Sequence, residues 1–198
     1  FTEHRKQLAA RLPPNSVAIV HAADPLTTNG DGVVRYVPAA DLFWLTGIEQ
    51  PESVAVLIPD AMNPAHREML FIREPNASLE TWEGHSLTKE KAQTISGIST
   101  VFWSDNLATT LHPLLVEKDS IVLNTNEHSR AGLGIESRDL RMARQFLDRY
   151  PLHSFHRLAP IFHDLRAVKS TAEVNIIRDA IAITKHGLDK VLSHLKPG

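Results

Sequence analysis

Short apolar runs alternate with amphipathic segments along most of the chain. Residues 16–22, 53–59 and 68–73 are β-branched runs bounded by turn residues, which predicts strands buried on both faces. Further strands are predicted at 100–103, 120–125 and 152–155, with helices between them at 87–95, 106–118 and 135–150. A helix over 2–12, ended by Pro13 and Pro14, precedes the first strand.

Strands that alternate with helices predict an α/β domain of three layers, in which a central sheet is flanked by helices. The first three predicted strands follow one another without the regular helical crossovers of the later part. We therefore expect a mixed sheet rather than a purely parallel one.

The pattern changes after Pro160, where a short helix over 161–168 is followed by a long one from about Thr171 to Leu195. Ser170 or Thr171 can cap the long helix, and Glu173 reinforces its N-terminus. Its apolar positions recur at intervals of about three and four residues, so it needs an apolar partner; they are Val174, Ile177, Ile181, Leu188, Val191, Leu192 and Leu195. We predict one domain over 1–165 and the beginning of another over 166–198.

The composition limits the classes of protein to which this chain can belong. The chain has 198 residues, of which 42% are hydrophobic and 22% charged, as in an ordinary globular domain. A formal charge of -2 does not indicate the basic surface with which proteins bind nucleic acid or an anionic membrane. The absence of cysteine excludes disulfides and thiolate metal sites, and the amphipathic start does not resemble a signal peptide. We predict a cytoplasmic protein with no nucleic-acid or membrane partner.

Two patterns suggest chemistry but have simpler interpretations. The histidines His153, His156 and His163 raise a metal hypothesis, but a spacing of three in a strand places the first two on opposite faces. We expect surface or helix-end histidines. Gly132 and Gly134 lie between a strand and a helix, but the third glycine of a dinucleotide fingerprint would fall at Ser137. This predicts a chain reversal.

The segment TWEGHSLTKEKA, residues 81–92, places Trp82 in a polar loop between a strand and a helix. A large aromatic ring in such a loop is either covered by its own domain or serves an interface. The residues leave both interpretations open.

Three stretches carry a family resemblance. DLFWLTGIEQPES (41–53) resembles the Asp-x-Phe-x-Tyr-Leu-Thr-Gly-Phe-x-Glu-Pro signature of the N-terminal domain of aminopeptidase P, in the creatinase and prolidase superfamily (peptidase family M24). LETWEGHSLTKEKA (79–92) and DLRAVKSTAEVNIIRDA (164–180) resemble two further segments, the second of which leads into the catalytic domain of that family. The Tyr-x-x-Arg-Gln that often precedes the signature is replaced here by Val34 and Val37-Pro38, so its arginine contact is not carried over.

The resemblance implies a creatinase N-terminal domain with a ribonuclease H-like motif over 1–165. Residues 166–198 would be the junction and first helix of a truncated pita-bread catalytic domain. The apolar run Leu42–Leu45 would form a sheet strand. The family are Xaa-Pro aminopeptidases, hydrolases that remove the N-terminal residue before proline with two manganese ions.

The same resemblance places the five metal ligands downstream of this chain, so that it carries no catalytic residue and no metal and is inactive alone. The domain would support a homo-oligomer and close the substrate cleft, which Trp82 would line as the substrate-binding residue. The partner would be a peptide with proline at its second position. A prolidase or creatinase relative and a non-catalytic, protein-binding peptidase-like domain remain alternatives.

Overall fold

The computed structural model describes residues 1–30, 32–76, 78, 86–128 and 136–196. The chain divides into two compact units, Phe1–Phe162 and His163–Gly198. The assignment of 166–198 to the start of a second domain stays a prediction.

The first unit is built on a six-stranded mixed sheet. The strands are β1 Ser16–His21, β2 Val54–Leu57, β3 Glu68–Ile72, β4 Thr100–Trp103, β5 Ser120–Leu123 and β6 Ser154–Arg157. Their spatial order is β4-β3-β2-β1-β5-β6. Strand β2 is antiparallel to both of its neighbours, whereas β3 with β4, β1 with β5 and β5 with β6 pair in parallel.

Helices cover both faces of this sheet. The helices of the first unit are α1 Thr2–Ala9, α2 Ala40–Thr46, α3 Lys89–Ser96, α4 Leu107–Leu115 and α5 Arg138–Arg149, with 3-10 turns at Pro64–His66 and Ser104–Asn106. Helix α6, Ala159–Ala167, begins in the first unit and ends in the second. Leu111 of α4 and Phe146 of α5 pack on one face of the sheet in a cluster with Ile19 and Phe71. Ala92 of α3 packs on the other face with Leu70. The three-layer α/β prediction is confirmed.

The strands β1 and β2 are buried along their whole length, and only Glu68 of β3 is partly exposed. Strands enclosed by helical layers on both faces need apolar residues at successive positions, which explains their continuous aliphatic sequences.

The long helix α7, Thr171–His194, lies in the second unit. Ser170 and Glu173 form a capping box at its start: Ser170 Oγ accepts the Glu173 N–H at 3.3 Å, and Glu173 Oε2 accepts the Ser170 N–H at 2.8 Å. This confirms the predicted cap. None of its described residues is buried.

The apolar run Leu42–Leu45 forms part of helix α2 and not a strand, so the expectation drawn from the family resemblance is wrong. The helix buries Leu42, Trp44, Leu45 and Thr46, while Phe43 is exposed. Gly47 ends it with a left-handed backbone, φ 70°, which glycine adopts without steric cost. A short apolar run of this kind fits a buried helix turn as well as a strand.

The side chain of Arg5 in α1 is fully buried and binds three separate parts of the fold. Its Nη1 donates to the carbonyls of Leu45 at 2.8 Å and Ser96 at 2.9 Å, and its Nε donates to Glu68 Oε2 at 2.9 Å. The two carbonyls lie in the last turns of α2 and α3. A guanidinium is well placed there, because free carbonyls and the helix dipole make helix C-termini negative.

We predict that Arg5→Ala lowers the free energy of unfolding by about 3 to 5 kcal/mol, since it leaves buried carbonyls and the Glu68 carboxylate unpaired. Arg5→Lys should recover only part of this loss, because an ammonium lacks the planar fork of donors. Urea unfolding measures the effect. The neighbouring exposed Lys6→Ala is the control and should change stability by no more than about 0.5 kcal/mol. Equal effects of Arg5→Ala and Lys6→Ala would contradict this role.

Candidate functional site

Several strands end or begin at the same edge of the sheet. β1, β3 and β5 end there, and the antiparallel β2 begins there, since His21 pairs with Val54 and Val54 with Phe71. In open α/β sheets, ligands bind in crevices outside the carboxyl ends of the strands. This edge is therefore the candidate site.

A cleft of about 670 Å³ lies along this edge, and we call it the edge cleft. Its lining combines apolar and aromatic side chains with two arginines and one glutamate; the residues are Pro25, Val33, Val34, Arg35, Tyr36, Gly47, Glu49, Gln50, Pro51, Arg73, Ser86, Leu87 and Ile95. Mostly apolar walls with a few polar groups are typical of sites for organic ligands.

Gln50 joins two walls of the edge cleft. Its Nε2 donates to the Arg73 carbonyl at 3.1 Å, just after β3, and its Oε1 accepts the Leu87 N–H at 3.0 Å, just before α3. The side chain is nearly buried, so both hydrogen bonds are partly shielded from water. Gln50 therefore fixes the separation of the backbone at Arg73 and Leu87.

A second group of polar side chains lies where β1 and β5 end, and we call it the strand-end polar cluster. His21 and Asn124 are buried, and the other members are partly exposed; they are Asp24, Asp41, Arg138, Asp139 and Arg141. Arg141 Nη2 donates to Asp24 Oδ2 at 2.7 Å, and Arg138 Nη1 lies 3.6 Å from Asp24 Oδ1. Asn124 Nδ2 donates to Asp41 Oδ2 at 2.8 Å. These contacts connect the first turns of α2 and α5 to the segments that follow β1 and β5.

Several buried atoms of this cluster have no hydrogen-bond partner within the described residues. They include both ring nitrogens of His21, Asn124 Oδ1 and Asp139 Oδ1. Burial, and secondarily the Arg138 charge, lowers the pKa of His21 to about 3. Burial together with the Asp41 carboxylate raises the pKa of Asp139 to about 7, although Arg138 opposes the shift.

Tyr36 connects the cluster with the edge cleft. It lines the cleft, and burial raises the pKa of its hydroxyl, with opposite effects from the nearby Arg138 and Asp24 charges. The loop that leads from β1 to α2 thus contacts both parts of the candidate site.

The residues singled out from the sequence have mixed outcomes. Trp82 and the Gly132–Gly134 turn lie outside the described residues. His153 Nε2 binds the Leu115 carbonyl at 3.0 Å, and His156 is exposed on β6. Within the described ranges, no three His, Cys, Asp or Glu side chains are grouped in a way that could hold a metal ion. No described helix is long and apolar enough to span a membrane.

Sequence reasoning missed Gln50 and the strand-end polar cluster. The available signal was positional, because His21 is the last residue of β1 and Asn124 follows β5 directly. Polar residues at the carboxyl ends of buried strands are candidates for a site even without a motif.

Comparison with known proteins decides the family. Residues 1–123 match the model of the aminopeptidase P N-terminal domain. The chain belongs to this family. The Xaa-Pro aminopeptidase of Escherichia coli K12 is 27% identical over 201 aligned residues, which cover 100% of this chain and 45% of that protein. The mitochondrial intermediate cleaving peptidase 55 of Arabidopsis thaliana is 27% identical, covering 99% of this chain and 37% of its own length.

The fold agrees with this assignment. A Bacillus anthracis protein assigned as an aminopeptidase P superposes with a TM-score of 0.88 at 28% identity, covering 98% of this chain and 46% of that one. The aminopeptidase P N-terminal domain described here thus spans less than half the length of these relatives.

For this aminopeptidase P N-terminal domain we predict that His21→Leu reduces sensitivity to acid. The folded-state pKa of about 3 lies below the unfolded value of 6.5, so His21 destabilises the fold progressively as the pH falls from 6.5 towards 3. At pH 4 this amounts to about 3 kcal/mol, which the leucine removes. The loss of unfolding free energy between pH 7 and pH 4 should therefore be smaller in the variant by that amount.

Urea unfolding at the two pH values measures the difference. The exposed His156→Gln is the matched control and should follow the wild-type profile. Parallel profiles for wild type and His21→Leu would show that the His21 ring accepts protons freely in the folded state.

Proposed function

We propose that this chain is the N-terminal accessory domain of a Xaa-Pro metalloaminopeptidase, which removes the N-terminal residue that precedes proline. The observation that carries the proposal is the family match over 1–123, together with 27% identity along the whole chain to a Xaa-Pro aminopeptidase. In this proposal two manganese ions and the catalytic residues belong to a catalytic domain outside these 198 residues. The protein is cytoplasmic.

The domain's own role is to support a homo-oligomer and to close part of the substrate cleft. The edge cleft supports this role through its chemistry. Pro25, Tyr36 and Pro51 offer apolar surface for a proline ring, while Arg35 and Glu49 can bind the polar ends of a short peptide. The partner is then a peptide with proline at its second position.

A second candidate is a processing peptidase, because the Arabidopsis intermediate cleaving peptidase is as similar to this chain as the Escherichia coli protein is. The two candidates differ in substrate. A Xaa-Pro aminopeptidase requires proline at the second position, whereas a processing peptidase would also cleave other sequences. A non-catalytic protein-binding domain is a further outcome of the same assay, and a prolidase or creatinase relative remains an alternative.

We predict that the full-length gene product, reloaded with manganese after chelation, hydrolyses Xaa-Pro tripeptides and releases one N-terminal residue per substrate. Matched Xaa-Ala tripeptides should be cleaved at least about tenfold less efficiently in kcat/KM, a difference of about 1.4 kcal/mol in the transition state. The 198-residue chain alone should show no turnover and no stoichiometric manganese. Cleavage of Xaa-Ala at an equal rate favours the processing peptidase. A full-length protein that binds no metal and cleaves neither peptide favours the non-catalytic alternative.

We predict that Trp82→Ala lowers kcat/KM of the full-length protein by about tenfold or more, and leaves the melting temperature of the 198-residue chain nearly unchanged. The reason is the family position of Trp82, which implies a wall for the substrate proline. A core tryptophan would instead cost about 3 to 5 kcal/mol of stability. A large fall in melting temperature with unchanged activity per folded molecule would make Trp82 a packing residue.

A further inference from the structure

The side chain of Gln50 joins the two ends of one connection in the fold. This connection follows Ile72, the last residue of β3, and ends at Thr88, which caps α3. Gln50 Nε2 donates to the carbonyl of Arg73 at 3.1 Å, and Gln50 Oε1 accepts the N–H of Leu87 at 3.0 Å. Both polar atoms of the amide are therefore engaged with backbone groups, one near each end of the connection.

Apolar packing brings the same segments together. Ile48 and Ile72 are buried in one cluster, and Leu87 packs against that cluster. Apolar contacts are not directional, so they bring the segments close without setting the separation of their backbones. The two hydrogen bonds of Gln50 are directional, and its near burial shields them from water. The amide therefore sets that separation.

The backbone of Gln50 is constrained as well. Pro51 restricts the residue before it to extended conformations. Glu52 follows with a left-handed backbone, φ 62°, which a residue with a side chain rarely adopts. Proline followed by a positive φ is the pattern of a type II turn, with Gln50 at its first position. The carbonyl of Ser53 then accepts the N–H of Ala22 at 2.8 Å, which ties the turn to the sheet.

Gln50, Pro51, Arg73 and Leu87 all line the edge cleft. Because both polar atoms of Gln50 already bond the backbone, this side chain acts on a bound ligand through the positions of Arg73 and Leu87. Groups that recognise a ligand must be held within about 0.5 Å of their productive geometry. A change in the separation of these two walls therefore changes which ligand fits between them.

We propose that Gln50 is a positioning residue for the edge cleft, which sets the separation of the walls at Arg73 and Leu87. Through this separation it determines the preference of the protein for a peptide with proline at its second position. The part of the inference that concerns peptides rests on the proposed function. The separation of the walls is a property of the fold and can be measured without peptidase activity.

The first test follows amide hydrogen exchange in the 198-residue chain by NMR. Gln50→Met has a side chain of similar length but lacks the amide that makes both hydrogen bonds. Its acceleration of exchange at Leu87 should exceed its acceleration of exchange in β1 by at least about tenfold, because the opening is local. Gln50→Glu keeps the acceptor but loses the donor, so its effect at Leu87 should be intermediate. Unchanged exchange at Leu87 in Gln50→Met, or equal acceleration in β1, overturns the proposal.

Gln93→Met is the matched control for both tests. Gln93 Nε2 also donates to a backbone carbonyl, that of Ser99 at 2.7 Å, but the Gln93 side chain does not line the edge cleft. Exchange at Leu87 and the peptide preference should both stay within about twofold of wild type in this variant, as expected for a surface substitution away from the site.

The second test measures peptide preference in the full-length gene product reloaded with manganese, with Ala-Pro-Ala and Ala-Ala-Ala as substrates. At a temperature where each variant is folded, Gln50→Met should lower the ratio of kcat/KM for the two peptides by at least about fivefold, chiefly through a higher KM for Ala-Pro-Ala. A residue that only stabilises the fold would leave this ratio unchanged per folded molecule. An unchanged ratio in Gln50→Met therefore overturns the positioning role.

The two proposals fail in different ways. If the wild-type protein cleaves neither peptide, or both equally well, the proposed function fails, and the exchange measurement alone decides whether Gln50 sets the separation of the walls. If the wild type prefers Ala-Pro-Ala and Gln50→Met keeps that preference, the proposed function stands and the role of Gln50 is overturned.

Discussion

The buried guanidinium of Arg5 is the interaction on which the helical layer over one face of the sheet depends. Two helices end beneath it in the same way: Thr46-Gly47-Ile48 closes α2 and Ser96-Gly97-Ile98 closes α3. In each, the hydroxyl accepts the isoleucine N–H at 3.1 Å and donates to the carbonyl four residues earlier.

Arg5 binds a carbonyl in each of these last turns, and Glu68 of β3 balances its charge. A single side chain of α1 therefore sets the spacing between α2, α3 and the sheet. Gly47 and Ile95, which line the edge cleft, lie at these two helix ends, so the geometry of the cleft depends on a contact made outside it. Removing the cation would leave several buried groups unpaired at once, which is more costly than the loss of any one hydrogen bond.

The sheet could be predicted from the sequence because both of its faces are covered. Residues 17–20 and 69–72 are apolar at successive positions, which is typical of strands buried on both faces. Helix α2 could not be predicted in this way. Its run Leu42–Leu45 is too short to show a helical period. Two features distinguish helix from strand here: the tertiary contacts of Trp44 and the cap at Gly47. Trp44 stacks on His4 with ring centroids 4.0 Å apart.

The candidate site was harder to predict for a different reason: its contacts join distant parts of the chain. Asp24 and Arg141 are 117 positions apart, and Asp41 and Asn124 are 83 apart. No local spacing relates them, and strand order alone makes them neighbours. The burial that shifts the pKa values of His21 and Asp139 is also a property of the assembled layers, so composition cannot indicate it.

The opposite shifts of His21 and Asp139 have a joint consequence. The rise from 3.8 to about 7 at Asp139 corresponds to about 4 kcal/mol, whereas the N-terminus of α5 favours its ionised form by only about 0.3 to 1 kcal/mol. Burial and the neighbouring carboxylates therefore dominate.

Between about pH 4 and pH 6.5 the folded chain keeps Asp139 protonated and His21 neutral, while the unfolded chain has the reverse. Both states then bind the same number of protons at these two groups, and their effects cancel in the wild-type pH profile. A flat profile in that range is compatible with two strongly perturbed groups, and only substitution of one of them makes the other visible.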